Sequence, residues 1–248
     1  MGRFLNLLRS HISRKLRHYG YEIRKYPNWK YPVLPVFDIL VTQLLKDKKQ
    51  IRFIQIGGND GIYVDPIRKF YQVDPRWTGH IYEPNPQIYL KLEHNLLQFD
   101  NRILSHQIAV SNLSGVSGIF VQDPESRLHA SEISSMNKKA FLKQKNYGAK
   151  FTEITIQTET LTNILENFGW KNFEILQIDT EGHESEIIDG LDLQKYKPLI
   201  MQIEVGHLKR DQINKLTRTI ANAGYDIYWG GHESDMVCLL SNYIKLNF

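Results

Sequence analysis

Two short segments of the chain combine residue types that suit the binding of a nucleoside. The first is FIQIGGNDG, in which Gly57, Gly58 and Gly61 follow a short apolar run. Glycine permits positive φ values and lets a ligand approach the backbone closely. The second is IYEPN, in which Glu83 stands 22 residues after Gly61. An acid at that spacing is placed to accept hydrogen bonds from ribose hydroxyls.

The spacing of the glycines discriminates among nucleoside ligands. A dinucleotide-binding G-x-G-x-x-G turn would need glycine at the positions of Asn59 and Ile62. The chain departs from the pattern at both, which disfavours a dinucleotide bound through its pyrophosphate. An NAD-dependent oxidoreductase stays an alternative, because Glu83 would also suit that cofactor. A nucleotide-binding module without catalytic activity is a second alternative.

A third segment, IDTEGHE, places a cluster of ionisable residues directly after an apolar run. Acids at the start of a helix complement its partial positive charge, which accounts for Glu184. Asp179 and Glu181 exceed that need, so we expect them to face a ligand. His207 follows the next apolar run, beside Asp179 in the predicted topology. As general base we rank Asp179 first, then His207 and Glu181. His183 comes last.

The same carboxylates raise the question of a metal ion. Carboxylate oxygens suit Mg²⁺, but a site needs converging ligands, which spacing in a sequence does not establish. The chain has one cysteine and no Cys/His cluster, so zinc is not indicated. We therefore predict no metal ligands and keep a divalent cation as the less favoured hypothesis.

Apolar runs and helical patterns alternate from residue 51 onward, which predicts a mostly parallel α/β sheet covered on both faces. The predicted strands include IRFIQI, HIYEP, ILSHQIAV, FEILQID and LIMQIEV, with YDIYWG and MVCLLS as an antiparallel closing hairpin. GIFVQ and EITIQT are further strands beside a polar segment, residues 122–150, long enough to be a lid or an acceptor-binding loop. Ligands of such sheets bind at the carboxyl ends of the strands, where the clusters above lie.

The first 30 residues differ in charge from the rest of the chain. They contain eight basic residues and one acid, a formal charge of +7, so the remainder carries −3 of the net +4. Their apolar residues recur every three or four positions, which predicts a basic amphipathic helix followed by a proline-rich linker. We divide the chain into this helix and linker, residues 1–35, and an α/β domain, residues 36–248. The helix is expected to pack on the domain, on a second subunit of a homo-oligomer, or on an anionic membrane surface.

Composition also limits the partners and the compartment. The positive charge lies in the N-terminal arm and not in the folded body, which disfavours nucleic acid as a substrate. The single thiol of Cys238 cannot form an internal disulfide and favours a reducing compartment. No window reaches the length of a membrane span, and no secretory signal is convincing. We expect a cytoplasmic protein, peripheral at most to the inner face of the membrane.

These segments, in this order, resemble the FkbM family of S-adenosylmethionine-dependent methyltransferases over about residues 51–241. The glycine-rich first motif of that family is similar to IQIGGNDG, and its acidic strand end to YEPN. Its I-D-x-E-G-x-E motif, the most specific of the matches, is similar to IDTEGHE. A small segment after its third strand is similar to Ala109, Val110 and Ser111, and a serine pair to Ser134 and Ser135.

The resemblance implies a Rossmann-like class I methyltransferase fold, with a mostly parallel seven-stranded sheet and an antiparallel C-terminal strand. It implies S-adenosylmethionine as cofactor and, as methyl acceptor, a hydroxyl group of a sugar, glycolipid or polyketide-type molecule. The implied cofactor contacts are Gln55, Gly57, Gly58, Asn59, Asp60, Gly61, Glu83, Pro84, Asn85, Ala109, Val110 and Asp179.

Three positions depart from the pattern of that family, and one of them is Thr162, where an aspartate is frequent. Many members have an acid where this chain has Gln55, and that acid usually holds the methionine amino group. A lysine is frequent where this chain has Gln177. Gln55 can still accept one hydrogen bond through its amide oxygen. Asp60 is nearby.

Overall fold

The computed structural model describes residues 35–63, 65–122, 134–136, 151–229, 235–241 and 243. The predicted N-terminal helix and linker lie outside these residues, except for residue 35, and the division of the chain at residue 35 stays a prediction. Most of the polar segment 122–150 lies outside them too. Within the described residues, no helix is long and apolar enough to cross a membrane.

The helices and strands alternate along most of the chain. The helices are α1 (Val36–Leu44), α2 (Arg68–Tyr71), α3 (Pro86–Leu96), α4 (Leu161–Phe168), α5 (Glu184–Asp189) and α6 (Arg210–Asn222), and a short 3₁₀ helix (Leu97–Phe99) follows α3. The strands are β1 (Ile51–Ile56), β2 (Trp77–Tyr82), β3 (Ile103–His106), β4 (Ala109–Ser111), β5 (Gly115–Gln122), β6 (Ser134–Ser135), β7 (Phe151–Thr160), β8 (Asn172–Ile178), β9 (Lys197–Glu204), β10 (Tyr225–Trp229) and β11 (Asp235–Leu240).

Seven strands form the main sheet, in the order β3-β2-β1-β8-β9-β11-β10. All neighbours pair in parallel except β11, which is antiparallel to both β9 and β10. The predicted fold class is therefore confirmed, including the closing hairpin. The central strands have continuous apolar runs because both faces of a parallel sheet are covered.

Each face of the main sheet packs against its own helices. On one face, Leu176 and Ile178 of β8 share a core with Ile187 of α5 and Leu216 of α6. On the other face, Phe53 of β1 belongs to the core that contains the apolar residues of α1 and α3. The sheet is thus the middle layer of a three-layer domain, and its strand ends are the edges left open to a ligand.

Four strands form a second sheet, in the order β4-β7-β5-β6. The prediction of ILSHQIAV as one strand is wrong, because the chain leaves the main sheet after His106 and enters the second sheet at Ala109. Apolar residues occur on both sides of this change of sheet. Ile103 is buried in the main sheet, and Ala109 and Val110 are buried in the second sheet. Apolar periodicity therefore could not show the change of partner.

Strand order reverses at β1, which lies between β2 and β8. In open α/β sheets this reversal leaves a crevice outside the carboxyl ends of the strands. Here the crevice is bordered by the ends of β1, β2 and β8. Residue 57, in the turn after β1, must be glycine, because a Cβ atom on Gly57 would lie 1.7 Å from the backbone oxygen of Asp179.

We predict that Gly57→Ala destabilises the fold by about 3 kcal/mol or more, because it combines a backbone clash with a left-handed φ. Gly169→Ala is the matched control, since Gly169 also has a positive φ of 67° but nothing lies within 4 Å of its Cβ position. The control should lose only about 1 kcal/mol. Urea denaturation of both variants measures the difference. Equal losses would mean that the close approach to Asp179 is not a constraint.

Candidate functional site

A cleft with a volume of about 290 Å³ lies at the carboxyl ends of β1, β2 and β8. Its size is at the lower end of the range for small-molecule sites. Of the predicted cofactor contacts, nine line it: Gln55, Gly57, Gly58, Asn59, Glu83, Pro84, Ala109, Val110 and Asp179. The structure thus brings residues from four strand ends around one space.

The glycine turn and Glu83 form one wall of the cleft. The backbone N–H groups of Gly57 and Gly58 both donate to the Tyr82 oxygen, at 3.0 Å. The N–H of Asn59 donates to Glu83 Oε2 at 3.1 Å, and the N–H of Asn85 donates to Glu83 Oε1 at 2.9 Å. Glu83 is only 4% exposed. Backbone donors therefore fix the carboxylate of Glu83 beside the turn.

Three predicted contacts lie outside the cleft lining and organise the loops around it. Asp60 accepts backbone hydrogen bonds from Ile62 and Tyr63, both at 2.8 Å. Asn85 caps α3 by accepting from the N–H of Gln87. The Cβ position of Gly61 is 2.7 Å from the Leu92 side chain, so Gly61 permits tight packing on α3.

Apolar residues complete the lining of the cleft. Ile108 precedes β4, Ala109 and Val110 belong to β4, Ile119 belongs to β5, and Met136 follows β6. The sequence analysis missed Ile119 and Met136 as site residues. Their contact with the cleft depends on how the second sheet packs, for which neither residue has a signal in the sequence.

Asp179 lies at the floor of the cleft, and its backbone N–H donates to the Ile56 oxygen at 2.9 Å. Burial, and after it the neighbouring carboxylates of Glu204 and Glu181, together raise the pKa of Asp179 to about 8. Burial and Glu184 likewise raise the pKa of Glu204 to about 7. These acids end adjacent strands or start the following loop, so they share a region of low dielectric and repel one another when ionised.

Glu181 and His207 form an ion pair at the rim, with 2.9 Å between Oε2 and Nε2. The hydrogen bond that His207 donates to the Glu181 carboxylate raises the pKa of His207 to about 9. His207 therefore holds a proton at neutral pH and would have to lose it before acting as general base, so that role stays a prediction. Glu181 has a left-handed φ of 58°, an uncommon conformation for a residue with a side chain.

His183 lines the cleft and has different neighbours from His207. Its Nε2 is 3.0 Å from Ser111 Oγ, and its Nδ1 is 3.9 Å from Glu186 Oε2. Burial lowers the pKa of His183, so the imidazole is neutral at neutral pH. The histidine that was ranked last is therefore the one that is neutral and faces the cleft.

Glu184 is fully buried and accepts hydrogen bonds from the loop that contains Glu181. Its Oε1 accepts from the N–H and the hydroxyl of Thr180, at 2.9 and 3.0 Å, and from the N–H of Gly182 at 3.0 Å. These bonds fix the conformation of the loop between β8 and α5. Within the described residues, no three His, Cys, Asp or Glu side chains converge as the ligands of a metal ion would.

The chain is similar in sequence to methyltransferases of one family. Residues 55–227, well over half of the chain, match the sequence model described as the methyltransferase FkbM domain. The chain is also similar to the 2-O-methyltransferase NoeI of Sinorhizobium fredii. The two are 25% identical over 198 residues, which cover 77% of this chain and 75% of NoeI.

Several solved structures resemble the fold at low identity. Precorrin-6y C5,15-methyltransferase of Geobacter metallireducens is 11% identical with a TM-score of 0.44, over 81% of this chain and 86% of that one. The human methyltransferase 10 domain containing protein is 14% identical with a TM-score of 0.45, over 96% of each chain. These similarities concern the arrangement of strands and helices and nothing beyond it.

We predict that the stability of the Asp179→Asn variant relative to the wild type increases as the pH rises. In the wild type the folded pKa of Asp179, about 8, exceeds the usual value of 3.8, so its contribution to stability is lost between about pH 4 and pH 8. The neutral amide has no such loss. The variant should therefore gain on the order of a few kcal/mol over the wild type between pH 5 and pH 8.

Urea denaturation at the two pH values measures this gain. Asp226→Asn, which changes an exposed carboxylate on β10, is the control and should follow the wild type. A constant difference between Asp179→Asn and the wild type across this range would show that the carboxyl is ionised in the folded protein throughout.

Proposed function

Because the chain belongs to the FkbM methyltransferase family, we propose that it transfers the methyl group of S-adenosylmethionine to a hydroxyl group of a sugar, glycolipid or polyketide-type acceptor. The observation that carries this proposal is the buried carboxylate of Glu83, fixed against the glycine turn in a cleft that continues to Asp179. The 2-O-methyltransferase NoeI supports oxygen as the methylated atom.

The residues of the cleft fit the parts of this cofactor. Glu83 is placed to accept hydrogen bonds from ribose hydroxyls, and the apolar wall around Ala109 and Val110 suits an adenine ring. Gly57 lets the turn after β1 lie against the Asp179 backbone, and both residues line the cleft. When bound, S-adenosylmethionine supplies an electrophilic methyl group on a positively charged sulfur. The carboxylates of Asp179 and Glu204 complement a positive charge.

Asp179 is the group we assign to accept the proton of the acceptor hydroxyl. A hydroxyl is a poor nucleophile, so a base should remove its proton during the attack. The raised pKa of Asp179, about 8, makes its ionised form a stronger base than an ordinary carboxylate. A cation in the cleft favours that ionised form. His183 is the second candidate, because it is neutral and lines the same cleft.

The charge around the cleft favours a neutral acceptor over a nucleic acid. Asp179, Glu181 and Glu204 lie together at the carboxyl ends of β8 and β9, where a phosphate backbone would repel their ionised forms. A sugar hydroxyl has no such penalty and can exchange hydrogen bonds with the exposed pair of Glu181 and His207.

The test is a transfer assay with S-adenosylmethionine labelled in its methyl group and a panel of sugars, glycolipids and small polyketide alcohols. With an acceptor that the wild type methylates, Asp179→Asn should lower kcat by about 100-fold. Its effect on cofactor affinity should be much smaller, since the substitution keeps the shape of the side chain. Wild-type turnover in the variant would rule out Asp179 as the base.

A binding measurement tests the cofactor site separately. Glu83→Gln should weaken the affinity for S-adenosylhomocysteine by about 10- to 100-fold, because a charged acceptor is lost. Glu93→Gln, on the exposed side of α3, is the matched control. Isothermal titration calorimetry compares the two. If both variants bind like the wild type, Glu83 does not contact the ligand and the proposed placement is wrong.

A further inference from the structure

An exposed tryptophan lies at the same edge of the main sheet as the cleft, several strands away from it. Trp229 is the last residue of β10, and 57% of its surface is exposed. Tryptophan is highly buried on average in folded proteins. Single exposed apolar side chains are nevertheless normal at a protein surface. The position of Trp229 relative to the cleft is therefore the informative observation.

A continuous row of register partners joins Trp229 to the end of β8. Trp229 pairs with Met236 on β11. Met236 pairs with Ile203 on β9, and Ile203 pairs with Ile178 on β8. Because neighbouring strands lie about 4.8 Å apart, Trp229 is about 14 Å from Ile178, the residue before Asp179. Since β11 is antiparallel to both of its neighbours, β10 runs parallel to β8 and ends at the same edge of the sheet.

Trp229 leaves the sheet on the face that α5 and α6 cover. Register partners share a face, and so do alternate residues of one strand. Met236, the partner of Trp229, and Tyr225, four residues before it, both belong to the core beneath these two helices. The loops that lead into α5 and α6 contain Glu181 and His207. The ion pair and the exposed indole therefore lie along one edge and on one side of the sheet.

These groups match the two kinds of surface that a sugar ring presents. One face of a pyranose ring carries C–H groups, which pack on the flat, electron-rich face of an indole. The hydroxyl groups at the edge of the ring both donate and accept hydrogen bonds. The ion pair of Glu181 and His207 is partly exposed and supplies a charged acceptor and a charged donor. Hydrogen bonds to charged groups are the stronger ones.

We infer that Trp229 binds a further sugar unit of the acceptor, while the unit that is methylated lies near Asp179 and the pair of Glu181 and His207 lies between them. This placement rests on the proposed function, in which Asp179 faces the reacting hydroxyl. The distance from Trp229 to the end of β8 is longer than one sugar ring, so a single sugar cannot contact both. The acceptor is therefore a glycan of two or more sugar units, either free or joined to a lipid.

The experiment measures methyl transfer from labelled S-adenosylmethionine to sugars of increasing length. The acceptors are glucose, galactose, mannose and N-acetylglucosamine, with their di-, tri- and tetrasaccharides, each free and linked to a lipid chain. For a sugar that the wild type methylates, KM should fall by about tenfold from the monosaccharide to the oligosaccharide. This dependence on length tests the inference without any substitution. A comparison of the free and lipid-linked forms at equal length identifies the source of the glycan.

Substitution of Trp229 tests the stacking contact. Trp229→Ala should raise KM for the oligosaccharides by about tenfold, while kcat should change by less than about twofold, because the indole is remote from the reacting atoms. Trp229→Phe retains an aromatic face and should recover most of the loss. The affinity for S-adenosylhomocysteine should stay at the wild-type value in both variants.

Tyr228→Ala is the matched control. Tyr228 precedes Trp229 in β10, is 40% exposed and leaves the sheet on the opposite face, because side chains alternate along a strand. Its KM for every acceptor should stay within about twofold of the wild-type value. Thermal denaturation verifies that each variant is folded.

Four results would contradict the inferred sugar contact. Equal KM values for monosaccharides and oligosaccharides in the wild type, or an unchanged KM for oligosaccharides in Trp229→Ala, overturn it and leave the proposed methyl transfer intact. Transfer to polyketide alcohols but to no sugar has the same consequence. An equal rise of KM in Trp229→Ala and Tyr228→Ala shows that disturbing the strand causes the loss, and overturns it too. A wild type that methylates no acceptor overturns the proposed function and the sugar contact together.

Discussion

The close approach of two backbones, at the end of β1 and the end of β8, is the constraint on which the cleft depends. The N–H of Asp179 donates to the Ile56 oxygen at 2.9 Å, and the Cβ position of Gly57 coincides with the Asp179 carbonyl. Since Gly57 and Gly58 also donate to Tyr82, the same turn is tied to the end of β2. Three strand ends are thereby held at fixed distances. Glu83, which accepts from Asn59, and Asp179, which lies against Gly57, both adjoin this turn.

Holding these strand ends together also brings several carboxyl groups close to one another in a buried region, which destabilises their ionised forms. Burial and mutual repulsion raise the pKa values of Asp179 and Glu204 toward neutrality, so the folded protein holds acids in their less stable ionised form at higher pH. Glu181 adds a left-handed backbone conformation at the same edge. Strain and perturbed acidity of this kind concentrate at ligand sites. A positively charged ligand would offset the repulsion among these carboxylates.

The elements with strong apolar periodicity, and the functional side chains at their ends, could be predicted from the sequence. The main sheet follows from its apolar runs, and Glu83 and Asp179 follow from their positions at strand ends in a sheet that reverses order at β1. The change of sheet between His106 and Ala109 could not be predicted, because both halves of that run are apolar for different partners. The protonation of His207 and His183 could not be predicted either. It depends on the ion pair of His207 with Glu181 and on the burial of His183, and the sequence shows neither.

Gln55 and Gln177 show how pairing in space changes the interpretation of single positions. In the sequence they are two separate departures from the FkbM pattern, an acid and a lysine each replaced by an amide. In the sheet they are direct neighbours on β1 and β8. Losing one positive and one negative charge from adjacent positions leaves the net charge of the pair unchanged, so neither substitution strands a buried charge. Asp65, ten residues further along the chain from Gln55, is a carboxyl group that also lines the cleft. Two departures that each weaken the resemblance are therefore balanced in charge when the two positions are considered as a pair.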